Sequence, residues 1–143
     1  MANINLRHYQ KEATKTQLAS ADPYVITQML MAGVLDSLAL AKGALARNDF
    51  ENKSKAISKA SNIIDALRSS LDFKAGGEVC DNLNALYEYM QGRLADASVD
   101  KDTIAIDEVA SLFKEIKEGW DSIPVEARQE AETQRKQSMA NAI

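Results

Sequence analysis

Ile57, Ala60, Ile64, Leu67 and Leu71 recur at alternating spacings of three and four residues. That period places them along one side of an α-helix, and Ile63 widens the stripe to the broad apolar face of a bundle helix. Lys53, Lys55, Lys59 and Asp65 fall on the other side. Such a stripe must be buried against other elements, and three more segments repeat the pattern. They are Ile26, Leu30, Val34, Leu38, Ala41 and Leu45; then Val79, Leu83, Leu86, Tyr87, Met90 and Leu94; then Ile106, Val109, Leu112, Phe113, Ile116, Trp120 and Ile123. No strand-like alternation competes with them.

Turn signals separate the four runs. Asp22-Pro23 opens the first, because Asp accepts from free amides and Pro at the first helical position loses no bond. Asn48-Asp49 ends this helix or begins the next. Gly76-Gly77 breaks the chain between the second and third runs. The polar stretch from Ser98 to Asp102 makes the next turn, and Pro124 closes the fourth run. Gly33 sits inside the first run, where Gly costs about 1 kcal/mol against Ala. Close approach of another helix is the reason to keep it.

Helices of about 20 residues span about 30 Å, and short links make neighbours antiparallel. The expected fold class is therefore all-α: an antiparallel up-down-up-down four-helix bundle. It forms a single domain, residues 1–143, with the bundle at 23–123. Residues 1–21 are read as a mobile N-terminal arm. Residues 124–143 are read as a polar C-terminal extension, frayed or disordered, with helix-forming residues but no face to bury.

Composition narrows the function. The net charge is −4, which disfavours nucleic acid or an anionic membrane as the main partner. No apolar run approaches the ~18 residues of a membrane span, so no membrane insertion is expected. The chain start has no apolar core of a signal peptide. Cys80 is the single cysteine, read as a buried thiol in a reducing cytosol. The single histidine, His8, and the absence of Glu from the apolar faces speak against a di-metal centre. Gly76-Gly77 lacks phosphate-loop spacing, and Ser69-Ser70 has no base pattern beside it. No catalytic residue, metal or cofactor is assigned, and the chain is read as a protein-binding bundle and not an enzyme.

Tyr87, Met29, Met31 and Met90 allow two readings: each fits a core position, and each also fits an adaptable contact surface for a partner, while Tyr89 lies near the back of the third run. The first run carries more apolar residues than one stripe needs, with Val25, Met29, Met31 and Leu40 beside the main set. The arm could cover this excess, and a partner helix could replace the arm.

Several motifs carry a family resemblance. They are Ile57-Ser58-Lys59-Ala60, Ile63-Ile64-Asp65-Ala66-Leu67, Leu71-Asp72 with Gly76-Gly77-Glu78-Val79, and Asn82-Leu83 with Leu86-Tyr87-Glu88-Tyr89-Met90 and Arg93-Leu94. Asp107-Glu108-Val109, Leu112 and Trp120 continue the match, and Pro23 and Gln28-Met29-Leu30 extend it backwards. Over about residues 8–121 the chain resembles the flagellin-specific export chaperone family, FliS.

The resemblance implies a cytosolic bundle that binds the C-terminal region of flagellin as helical segments wrapped around it. Such binding prevents premature polymerisation and delivers the subunit to the flagellar type III secretion apparatus and its export gate. An anti-sigma factor of the flagellar cascade is a second implied partner. The family's N-terminal segment, with a tyrosine matching Tyr9, covers an apolar groove, and a helix-two isoleucine that supports binding matches Ile57. The candidate partner-contact set is thus Tyr9, Met29, Met31, Ile57, Ile64, Tyr87 and Met90. The chain departs from the family pattern at Asp22, where Ser is usual, at Met31-Ala32, where an aromatic and an acidic residue are favoured, and at Ser98, a common Asn.

Overall fold

The computed structural model describes residues 23–141. Among them are five α-helices and no strand: α1 (Pro23–Ala46), α2 (Phe50–Ser69), α3 (Phe73–Val99), α4 (Ile104–Asp121) and α5 (Val125–Asn141). The described residues fall into two compact units. One is Met29–Ser122; the other joins residues 23–28 to residues 123–141.

Within Met29–Ser122 the stripes meet in one core. α1 contributes Met31, Val34, Leu38, Ala41 and Leu45; α2 contributes Ile57, Ala60, Ile64 and Leu67. α3 contributes Tyr87, Met90, Leu94 and Ala97, and α4 contributes Ala105, Ile106, Val109 and Phe113. Tyr87 stacks on Phe113, with ring centroids 6.3 Å apart. Cross-helix pairs give the direction of each helix. Arg68 near the end of α2 reaches Asn84 in the first half of α3, and Lys53 near the start of α2 reaches Asp100 just past α3. Tyr89 and Arg93 of α3 meet Glu108 of α4, and Lys42 late in α1 meets Asp107 early in α4. Neighbours therefore run antiparallel, and the expected up-down-up-down order is observed.

The α1–α2 connection uses both of its marked residues. Asn48 takes a left-handed φ of 57°, and the Asp49 amide donates to the Ala44 carbonyl at 2.8 Å, closing α1 in a Schellman-type turn. Asp49 then caps α2 by accepting from the Asn52 amide at 3.2 Å. That bond and the Asn52 side chain hold the Asp49 carboxyl below its ordinary pKa.

Some expectations are corrected. In α1 the buried stripe includes Met31 and leaves Leu30 only partly covered, because spacing 31, 34, 38, 41, 45 keeps the three–four alternation that 26, 30, 34 does not. Lys53, expected on the polar side of α2, is 2% exposed. Its Nζ donates to the Asp100 carbonyl at 2.7 Å and lies 5.6 Å from the Phe50 ring centroid, so its stem extends the stripe while its charge is bonded. Val79, expected in the α3 stripe, is exposed.

The break between α2 and α3 falls at Ser70–Asp72 and not at Gly76-Gly77. Asp72 caps α3 by accepting from Lys74 and Ala75 amides, both at 3.1 Å. Gly77 then kinks the helix at φ 51°, ψ −125°, a backbone state that side chains disfavour strongly. A Cβ on Gly76 would overlap the Cys80 Sγ. Cys80, expected buried, is half-buried, and its thiol donates to the Asp72 carbonyl at 3.3 Å. The double glycine is thus a kink one turn inside α3.

α1 is long and apolar enough to cross a membrane, contrary to the reading that no run approaches that length. Its apolar stripe is spent in the bundle core, and Asp36 and Lys42 interrupt the rest.

The arm at 1–21 and the Asp22 cap lie outside the described residues. The extension after Pro124 is helical where fraying or disorder was expected. α5 has no buried residue, and its composition and local pairs explain it. Glu132 bonds Arg135 three residues on, and Arg128 donates its amide to the Pro124 carbonyl at 3.1 Å. The Arg128 guanidinium also lies 4.3 Å from the Tyr24 ring centroid, a cation–π contact.

Two substitutions test this account by urea unfolding. Gly77→Ala should destabilise by about 1–3 kcal/mol through backbone strain alone, since nothing lies within 4 Å of its added Cβ. Lys53→Met keeps the stem but leaves the Asp100 carbonyl without its donor, and should cost about 1–3 kcal/mol. An unchanged midpoint in either variant contradicts the corresponding role.

Candidate functional site

Each neighbouring pair of helices in an antiparallel bundle leaves a surface seam, and side chains decide which seams are closed. In Met29–Ser122 three are crossed by polar bonds. Between α2 and α3, Arg68 forks to Asn84 Oδ1 at 2.9 Å, Gln91 Oε1 at 2.9 Å and Glu88 Oε1 at 2.7 Å. Gln91 returns bonds to the Ser61 carbonyl at 3.1 Å and Asp65 Oδ1 at 2.7 Å. A guanidinium held in a planar fork fixes this seam more firmly than a point charge could.

Between α3 and α4, the Tyr89 hydroxyl donates to Glu108 Oε1 and Arg93 Nε donates to Glu108 Oε2 at 3.1 Å. The Tyr89 bond holds the Glu108 carboxyl below its ordinary pKa and raises that of the phenol. Between α1 and α4, Lys42 Nζ donates to Asp107 Oδ1 at 2.9 Å, which lowers the Asp107 pKa. Charges of both signs line the rest of that seam, Asp36, Lys114, Lys117, Glu118 and Asp121.

The α1–α2 seam differs. Among the described residues no side-chain hydrogen bond or ion pair crosses it. Beside it lies an open, shallow groove of about 550 Å³ formed mostly by α2: among the described residues Leu30 is its α1 contribution, and Ser54, Lys55, Ser58, Lys59, Asn62, Ile63 and Ala66 belong to α2. A Cβ on Gly33 would come within 3.2 Å of Ile63 Cδ1, so the glycine makes room for one α2 side chain, whereas the closest backbone approaches in the bundle are α2 to α3 and α3 to α4. Leu30 and Ile63 are partly buried against the core and partly open, so covering them removes apolar area from water.

The residues expected to touch a partner lie elsewhere. Met31, Ile57, Ile64, Tyr87 and Met90 are core side chains, exposed by 4% or less. Burial pushes the Tyr87 phenol up to about 12. For these five, the core reading is the one the structure displays. Met29 is half-buried. Tyr9 lies outside the described residues. The groove residues were visible in the sequence as edges of the stripes: Leu30 at the margin of the first, Ile63 as the extra residue of the second, and Lys55 and Lys59 on its polar side. The missing step was recognising that residues at the edge of a stripe, and not its centre, remain available.

No three His, Cys, Asp or Glu side chains among the described residues are grouped to share a metal ion.

Residues 5–127 match the family model described as flagellar protein FliS. The flagellar secretion chaperone FliSB of Pseudomonas aeruginosa is 43% identical over 118 residues, covering 82% of this chain and 94% of that protein. The flagellar secretion chaperone FliS of Vibrio cholerae is 37% identical, covering 85% and 90%. That of Salmonella typhimurium is also 37% identical, covering 85% and 91%. With most of its length matched to that model, and to relatives over nearly their whole length, this chain belongs to the flagellar protein FliS family.

Proposed function

We propose that this protein is a cytosolic export chaperone that binds the C-terminal region of flagellin, in part along the α1–α2 groove. In this role it keeps the subunit from premature polymerisation and presents it to the flagellar type III secretion apparatus. The observation that carries the reading is the seam that no cross-helix side-chain bond spans among the described residues, with Leu30, Ile63 and Ala66 as its apolar lining. Relatives named as flagellar secretion chaperones support it.

Magnitudes say how such a chaperone works. Completing the burial of two half-covered aliphatic side chains gains roughly 1–3 kcal/mol. Micromolar affinity requires about 8 kcal/mol, and ordering a disordered partner costs a further ~2–5 kcal/mol. One groove is therefore too small for the task. A flagellin segment that wraps the bundle and contacts further surfaces reaches the needed total, and no nucleotide is required. Met31, Ile57, Ile64, Tyr87 and Met90 act in this scheme from beneath, by holding the helices at the spacing that leaves the groove open.

Calorimetry with the full chain and a flagellin C-terminal peptide should give micromolar or tighter binding with a negative heat-capacity change. No detectable heat at micromolar concentration would sink the proposal. Recovery of an anti-sigma factor as the main partner from cytosol would favour the regulatory role instead.

Substitutions separate groove from core. Leu30→Ser with Ile63→Ser should weaken the peptide several-fold or more while the protein still unfolds cooperatively. Ile57→Ala should lower stability by about 2–5 kcal/mol and alter binding only through that loss. Equal binding by the groove variant would move the contact to another seam.

A further inference from the structure

The charges in the α1–α2 groove are all of one sign. Its lining includes Lys55 and Lys59 and no carboxylate, although the whole chain has a net charge of −4. The α1–α4 groove, by contrast, mixes Asp36, Glu118 and Asp121 with Lys114 and Lys117. Lys55 pairs with Glu51 at 3.2 Å, but both side chains are at least 70% exposed, and such surface pairs exchange at little cost. Lys59 has no ion pair among the described residues. The two lysines stand four positions apart on α2, so their side chains rise from one face about 5–6 Å apart. A ligand helix lying along the groove repeats its own side chains at the same interval.

We propose that the α1–α2 groove selects an amphipathic helix whose apolar stripe covers Leu30, Ile63 and Ala66 and whose flank carries two carboxylates one turn apart, facing Lys55 and Lys59. This deepens the flagellin reading by stating the chemistry of the segment seated there. An acidic client segment meets complementary charge there, and the lysines speed its encounter at low salt.

The test uses the full chain and two synthetic 18-residue helical peptides with the same Leu and Ala stripe. One carries Glu at the two flank positions, the other Lys. Binding is followed by chemical-shift titration, which reads the millimolar affinities expected of one groove. The Glu peptide should bind tighter than the Lys peptide, with shifts centred on Leu30, Ile63 and Ala66. Lys55→Gln with Lys59→Gln should weaken the Glu peptide by about 3- to 30-fold and abolish the preference, and 0.5 M salt should narrow it. The lysines are exposed, so unchanged unfolding of this variant separates lost charge from lost fold.

Equal binding of the two peptides, shifts centred on another seam, no shift at all, or a preference that survives the glutamines overturns the proposal. A flagellin peptide bound equally by the glutamine variant and the native chain overturns it while leaving the flagellin reading intact. A retained Glu preference with no flagellin binding does the reverse.

Discussion

The Ile63 side chain, packed toward Gly33, links α2 to α1 beside the seam that no polar side-chain bond crosses among the described residues. With no side chain at this position, Ile63 lies against the α1 backbone, 3.2 Å from where a Cβ would stand. Ile63 is thereby held half in the core and half in the groove. One turn earlier in α1, Leu30 occupies the matching position. A Cβ at Gly33 would require the end of the partly buried Ile63 side chain to give by a few tenths of an ångström.

The remaining seams show what closing one requires. Arg68 reaches three acceptors on α3 at once, and Gln91 ties the same face back to Ser61 and Asp65. Each side chain is partnered, which is the condition under which a polar network adds rigidity. A client that tried to enter between α2 and α3 would have to replace several bonds with equal ones. Between α1 and α2, among the described residues, there is no such bond to replace.

Much of the fold was legible because burial imposes a period, and the second and fourth runs show it with few interruptions. Deviations arose where one side chain serves two environments. Lys53 is charged and yet buried, because its ammonium finds the Asp100 carbonyl at 2.7 Å while its stem covers apolar surface. Leu30 and Met31 are adjacent and equally apolar, and only the register of the neighbouring helices decides which one is enclosed. α5 forms from helix-favouring residues and local pairs without a stripe, which periodicity by itself cannot detect. The Gly76-Gly77 pair gave the correct signal of a backbone break and the wrong position for the turn, because Asp72 had already begun the helix.

The candidate site was harder to read for a related reason. Core and contact residues share a composition: both are apolar, both repeat at three and four, and Met and Tyr suit either. Tyr87 illustrates the limit. Its position in the third stripe predicts contact with something apolar, and that something is Phe113. What distinguishes a contact residue is incomplete enclosure, a property of the neighbouring helices and not of the residue. Lys55 and Lys59 add the information that apolar residues lack, since a charge states what its partner must be. In the proposed reading, specificity for a client resides at the rim of the groove, where two exposed cations discriminate, while its apolar lining supplies attraction to any helix of suitable width.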